Sequence, residues 1–107
     1  MKANKFVKEF GLDSFKAAML CPQFKRYNYT ILYSDEVDFS NEFIEKHSEY
    51  MFKTSVIKRL VESHELVGRF GGLHMAKADV MDLDGWEKTS PYWMKIQQAI
   101  ADVESCQ

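Results

Sequence analysis

The segment from Val56 to Phe70 constrains the fold most, because its apolar residues recur at the spacing of one helical face. That face consists of Ile57, Leu60, Val61, His64 and Val67. The charged side chains of the same segment fall on the opposite face: Lys58, Arg59, Glu62 and Glu65. Gly71 and Gly72 end the pattern. The sequence therefore predicts an amphipathic helix that buries one side, with His64 as a partly buried core histidine.

Two further helices are predicted after this segment. Leu73, Ala76, Lys77 and Val80 begin a shorter helix that runs into the turn-forming stretch 82–85. Ser90-Pro91 then combines a helix cap with a proline at the first helical position. The final helix carries its apolar face at Trp93, Ile96, Ile100 and Val103.

The N-terminal part predicts two short helices and a strand. Apolar positions at Phe6, Val7 and Phe10 lead to Gly11, and those at Phe15, Ala18 and Met19 stop before Pro22. The stretch 27–33 is rich in aromatic and β-branched residues, as strands are. Residues 50–53 could pair with that strand, whereas 40–53 also fits a helical face begun at Ser40, so we expect a helical insertion between two strands.

Together these elements predict an α+β fold, a mostly helical small single domain over residues 1–107 with a short antiparallel β-hairpin. A chain of 107 residues has the size of one domain, and 46% hydrophobic residues exclude a disordered chain. The N-terminus lacks the apolar run of a signal peptide, and no segment has the length of a membrane span. We therefore expect no membrane association, a cytoplasmic location, and reduced thiols at Cys21 and Cys106.

The usual catalytic and metal-binding patterns are missing. The histidines at 47, 64 and 74 lack the paired spacing of a zinc site, and Gly68 stands where a His-Glu-x-x-His motif needs its second histidine. The acidic stretch 79–85 lacks the first and last ligands of a calcium loop, so a turn held by Asp side chains is expected there. The sequence predicts no metal, no cofactor and no enzymatic activity.

Charge is distributed in alternating blocks. Residues 1–26 carry six basic and two acidic side chains (+4), 34–49 one and six (−5), 53–77 five and two (+3), and 79–107 two and six (−4). The blocks could complement one another within the fold or form surfaces for partners. The basic candidates are Lys58, Arg59 and Arg69. The acidic insertion comprises Asp35, Glu36, Asp38, Glu42, Glu45 and Glu49.

An aromatic cluster at Trp86, Tyr92 and Trp93 lies beside the predicted turn and is the preferred contact surface. Aromatic residues make up 14% of the chain, a large share for so small a core. Such a surface predicts binding to another protein, and it could also serve a homo-oligomer.

A small DNA-binding transcriptional regulator is the alternative. Residues 70–78 resemble the first helix of a phage-repressor helix-turn-helix, but Val80 stands where the motif needs glycine. The segment that would enter the major groove, 81–87, is acidic and would be repelled by phosphates. This motif is degenerate, and nucleic-acid binding is disfavoured.

Three stretches are similar to small uncharacterised proteins of lambdoid phages and prophages of enterobacteria. The first is central and comprises 57–67, Phe70-Gly71-Gly72-Leu73 and Ala76-Lys77. The second is the opening 6–11, and the third is the closing 99–106. The resemblance implies an accessory or early-region phage protein that binds a host or phage protein in the bacterial host cytoplasm. It also implies a role in modulating host machinery or host defence (anti-defence), without any catalytic residue.

Overall fold

The computed structural model describes residues 1–33 and 36–107, which form two compact units, Met1–Val61 and Glu62–Gln107. The α-helices are α1 (Ala3–Phe10), α2 (Asp13–Met19), α3 (Thr54–Gly68), α4 (Leu73–Met81), α5 (Gly85–Lys88) and α6 (Pro91–Ser105). The strands are β1 (Tyr29–Leu32), β2 (Val37–Ser40) and β3 (Met51–Lys53), and 3-10 helices span Pro22–Lys25 and Glu45–Tyr50. The predicted mostly helical α+β fold is confirmed, while the single domain over 1–107 stays a prediction.

The first unit contains a three-stranded antiparallel sheet in the order β2-β1-β3. Strands β1 and β2 form an antiparallel hairpin, in which Ile31 lies opposite Asp38. On its other edge β1 pairs with β3, so that Ile31 also lies opposite Met51. The pairing expected for residues 50–53 is therefore confirmed over Met51–Lys53, whereas β2 was not predicted.

The region 40–53 differs in part from the expectation. A helix does lie between two strands, but it is the 3-10 helix Glu45–Tyr50 rather than a helix begun at Ser40. Ser40 ends β2, and its hydroxyl donates to the Glu42 carbonyl (2.7 Å) and accepts from the Glu42 amide (3.1 Å). A serine that satisfies the backbone two residues ahead favours a turn over a helix. Met51 has the spacing of the helical face expected from Ser40, but it is buried in β3.

Aromatic packing fills the core of the first unit. The rings of Phe6 and Phe15 are stacked with centroids 5.1 Å apart, and Phe52 meets both edge-on at 5.3 and 5.5 Å. Gly11 ends α1 with φ of 82°, a conformation that favours glycine. The predicted helix, glycine, helix order at the N-terminus is confirmed.

Helix α3 confirms the amphipathic helix predicted from Val56 to Phe70. Ile57, Leu60, Val61 and Val67 are buried, His64 is half-buried, and the four charged residues assigned to the other face are exposed. The sequence did not predict that Ser63 is buried as well. No helix within residues 1–33 and 36–107 is long and apolar enough to cross a membrane.

The second unit has its own apolar core. Its buried members are Val67, Ala76, Ile96, Ala99, Ile100 and Val103. Two predicted start signals are confirmed: Ser90 caps α6 by accepting a hydrogen bond from the Trp93 amide (3.4 Å), and Pro91 is its first residue. The Asp-rich turn is held as expected, because Asp84 and Glu87 form a reciprocal capping box at the start of α5.

Candidate functional site

The three aromatic residues proposed as a contact surface differ in their surroundings. Trp93 is half-buried and packs against the core of the second unit, with its ring 6.0 Å from that of Phe70. Tyr92 meets Trp93 edge-on at 5.2 Å and remains 58% exposed. Trp86 is 76% exposed. Trp93 is therefore a support within the fold, and only Trp86 and Tyr92 present large surfaces to solvent.

Local hydrogen bonds fix the backbone that carries Trp86. The Asp84–Glu87 capping box holds the turn that contains it, and the Thr89 hydroxyl donates to the Trp86 carbonyl at 2.8 Å. At the end of α5, the Gln97 amide donates to the Lys88 carbonyl (2.8 Å) and to the Trp93 carbonyl (3.1 Å). The exposed indole of Trp86 is therefore carried by a backbone segment that several hydrogen bonds hold in place.

Exposed methionines accompany these aromatic residues in the second unit. Met81 is 78% exposed at the end of α4, Met94 is 58% exposed on α6, and Met75 is 50% exposed. Sequence reasoning missed them, although Met81 and Met94 lie outside the predicted apolar faces and could have been noticed for that reason. Met81, Trp86, Tyr92 and Met94 are called the exposed apolar residues below.

The same stretch of chain is strongly acidic. Between residues 79 and 87 the sequence contains four carboxylates and no basic residue: Asp79, Asp82, Asp84 and Glu87. Asp82 and Asp84 are exposed, and Glu87 is half-buried within the capping box. Apolar side chains that alternate with carboxylates complement a basic, apolar partner.

The three basic candidates divide between the units. Lys58 and Arg59 are exposed residues of α3 in the first unit, whereas Arg69 is exposed just past the end of α3 in the second. Lys58 lines a cavity of about 470 Å³ together with Lys25 and Tyr27. Sequence reasoning did not connect Lys25 with Lys58, because 33 positions separate them.

The acidic insertion of the first unit is open to solvent. Glu36, Asp38, Glu42, Glu45 and Glu49 are all exposed. Asp35, which was assigned to the same segment, lies outside the described residues. Nearby, a cavity of about 490 Å³ is lined mainly by aromatic rings, including those of Phe10, Tyr33 and Tyr50.

A buried polar cluster lies within the second unit. The Ser63 hydroxyl donates to Oδ2 of Asp102 at 2.7 Å, and the Gln98 amide donates to Oδ1 at 3.1 Å. Burial raises the pKa of the neighbouring Cys106 thiol; the Ser105 hydroxyl opposes this shift and the Asp102 charge adds to it. A buried hydroxyl that donates to a carboxylate stabilises packing rather than acting as an accessible nucleophile.

Among residues 1–33 and 36–107, no group of three or more His, Cys, Asp or Glu side chains could hold a metal ion. His47 instead meets the Tyr33 hydroxyl through Nε2 at 3.1 Å. Both cysteines are free thiols. No family model matches the chain, and comparisons with curated proteins and with solved structures give no match either.

Proposed function

We propose that the protein is non-enzymatic and acts by binding another protein through the exposed apolar residues of its second unit. The observation that carries this proposal is Trp86, which is 76% exposed on a turn fixed by the Asp84–Glu87 capping box. Tryptophan is among the residues that contribute most to protein interfaces, because its large ring loses water on binding at a low cost in side-chain entropy. An exposed indole that is already positioned keeps that cost small.

The residues that flank Trp86 in the sequence support one kind of partner. Met81 and Met94 add flexible, polarisable apolar surface, which adapts to irregular partner surfaces. The carboxylates at 79–87 favour a partner that presents lysine or arginine beside its apolar contacts. We therefore propose a partner surface or segment that is both apolar and basic.

In keeping with the resemblance to lambdoid phage proteins, we propose that this binding takes place in the cytoplasm of a bacterial host, with a host or phage protein as the partner. Modulation of a host factor or of host defence is the role that such binding would serve. The segment 81–87, which was expected to read DNA, comprises the end of α4, a turn and the first three residues of α5, and two of its carboxylates form the capping box of α5. This favours protein binding over binding to a phosphate backbone.

Affinity capture from an enterobacterial lysate tests the proposal, with the full chain as bait and Trp86→Ala as the test variant. Phe43→Ala is the matched control, since Phe43 is an aromatic residue of the first unit that is 55% exposed. We expect the wild type and Phe43→Ala to retain the same partner, and Trp86→Ala to lose at least about tenfold in affinity. Added salt should weaken the binding of the wild type.

Two results would contradict the proposal. One is equal capture by Trp86→Ala and the wild type while circular dichroism shows both folded. The other is a partner whose binding depends on Phe43 instead of Trp86.

A further inference from the structure

Aromatic rings from separate parts of the chain surround one cavity of the first unit, with a volume of about 490 Å³. Among the described residues that line it, none is charged and four are aromatic: Phe6, Phe10, Tyr33 and Tyr50. The volume lies within the range of small-molecule sites. From this arrangement we infer a binding site for a small organic cation that carries a trimethylammonium group.

The rings are inclined to one another, so that the lining is concave. The ring of Phe10 lies 4.9 Å from that of Phe6 at an angle of 44°, and the ring of Tyr50 lies 6.5 Å from Phe6 at 79°. Phe6 is buried, whereas Phe10 and Tyr50 keep exposed surface. The face of an aromatic ring attracts a cation, and several inclined rings attract a compact cation from several sides.

The fourth ring, that of Tyr33, is held in position by its own contacts. Its hydroxyl lies 3.1 Å from Nε2 of His47, and the two rings meet edge-on with centroids 5.3 Å apart. The Tyr33 amide donates to the Glu36 carbonyl at 2.9 Å. Because the ring is already fixed, little side-chain entropy is lost when a ligand binds.

The charge of the neighbouring chain favours a positive ligand over a neutral one. Tyr33 and Tyr50 directly flank the acidic insertion 34–49, which contains six carboxylates and one basic residue, Lys46. The described carboxylates of this insertion are all exposed. Exposed charges of one sign raise the local concentration of ligands of the opposite sign.

The lysines within α1 do not reverse this preference. Lys5 pairs with Glu9 at 3.9 Å. Lys8 is two positions from both Phe6 and Phe10, so it projects from the opposite face of the helix. The positive charges of α1 are therefore either paired or directed away from the two phenylalanines.

The lining also discriminates among cations. Within the described lining, the polar side-chain groups are the hydroxyls of Ser14, Tyr33 and Tyr50, without a carboxylate. A primary ammonium or a guanidinium carries several N–H donors, and burying them without enough acceptors is costly. A trimethylammonium group has no N–H donor, so it loses no hydrogen bond on entering the cavity.

NMR titration of the full chain with choline tests this inference. The comparison ligand is the alcohol in which a carbon atom replaces the quaternary nitrogen of choline, because it has the same shape and no charge. We expect choline to bind at least about tenfold more tightly than this alcohol and to shift the signals of Phe10, Tyr33 and Tyr50. Equal binding of the two ligands, or no binding of choline up to about 50 mM, would overturn the inference. Both measurements use the wild type, so they do not depend on the folding of a variant.

Leucine variants test the rings themselves. Phe10→Leu and Tyr50→Leu keep an apolar side chain but lose the ring, and each should weaken choline binding about fivefold while leaving the neutral alcohol nearly unaffected. Phe43→Leu is the matched control, because Phe43 is an aromatic residue of the same unit that is 55% exposed and is not part of the described lining. Unchanged choline affinity in both leucine variants, or equal weakening by Phe43→Leu, would contradict the site. The cavity lies in the first unit, so this test is independent of the capture experiment on Trp86.

Discussion

The hydroxyl of Ser63 donates a 2.7 Å hydrogen bond to Oδ2 of Asp102, which joins α3 to α6 within the second unit. Both residues are buried, and the Gln98 amide donates to the other carboxylate oxygen. A buried carboxylate is costly unless hydrogen bonds compensate for its lost water. The cluster therefore selects one alignment of the two helices, because any shift would leave a buried charge without its donors.

Ser63→Ala should lower the free energy of unfolding by about 1–3 kcal/mol, because it leaves Oδ2 of Asp102 buried without this donor. Urea denaturation followed by circular dichroism measures the change. Ser14→Ala is the control, since Ser14 is an exposed helical serine and its replacement should stay within about 0.5 kcal/mol. Equal stability of Ser63→Ala and Ser14→Ala would show that the bond contributes nothing net.

Truncation to alanine should lower the free energy of unfolding at one tryptophan and leave it nearly unchanged at the other. Trp93 packs on the core, so Trp93→Ala should cost about 2 kcal/mol, less than a fully buried tryptophan because Trp93 is only half-buried. Trp86→Ala should change stability by no more than about 0.5 kcal/mol.

Fluorescence provides a second measurement of the same difference. In Trp93→Phe, the remaining Trp86 should be quenched efficiently by acrylamide, whereas Trp93 in Trp86→Phe should be protected. Similar quenching of the two single-tryptophan variants would contradict the assignment of Trp86 as the exposed ring.

Helix α3 shows what the sequence predicts well. Its apolar residues recur every three or four positions, and a single helix must bury that face wherever it packs. The cap at Ser90 and the turn held by Asp side chains were also predicted, because such bonds act on the backbone within a few residues. The sequence grouped Trp86 with Trp93 as one candidate contact surface, because periodicity could not separate the exposed Trp86 from the half-buried Trp93, whose exposure depends on neighbours such as Phe70.

The parts that could not be predicted depend on long-range pairing. Strand β2 becomes a strand because β1 lies beside it, and its four residues carry a weak pattern of their own. The sequence around Met51 fits a helical face and a strand equally well, and the pairing of Met51 with Ile31 in the sheet decides for the strand. The position of Phe10, Tyr33 and Tyr50 around one cavity follows from the fold of the first unit, for which no local motif exists.

Gly72 and Gly68 should respond in opposite directions to alanine. Gly72 has φ of 110° and ψ of −180°, a conformation almost exclusive to glycine, although a Cβ there would meet nothing within 4 Å. Gly72→Ala should therefore cost about 1–3 kcal/mol through backbone strain alone. Gly68 ends α3 without a positive φ and also has open space, so Gly68→Ala should stabilise by about 0.5–1 kcal/mol. Thermal denaturation of both variants checks the pair, and destabilisation by both would point to packing instead of backbone conformation.

Burial raises the pKa of the Cys106 thiol above its usual value of 9.0, the nearby charge of Asp102 raises it further, and the hydrogen bond between Cys106 and Ser105 lowers it. The folded protein thus holds this proton more tightly than the unfolded chain does. The resulting contribution to stability is complete below the unfolded pKa and is lost as the pH rises through the folded pKa. Unfolding free energies measured from pH 7 to about pH 10 should therefore decline in a way that Cys106→Ala reduces. Cys21→Ala, which keeps Cys106, should retain the full decline.

Alkylation gives the kinetic counterpart of this prediction, because only the thiolate reacts. In Cys21→Ala, iodoacetamide at pH 8.5 should modify Cys106 slowly, and urea should accelerate the reaction by exposing the thiol and lowering its pKa. In Cys106→Ala, the half-exposed Cys21 should react faster without denaturant, since its sulfur is more accessible. Reaction of Cys106 at the rate of the unfolded chain would contradict the burial of this thiol in the folded protein.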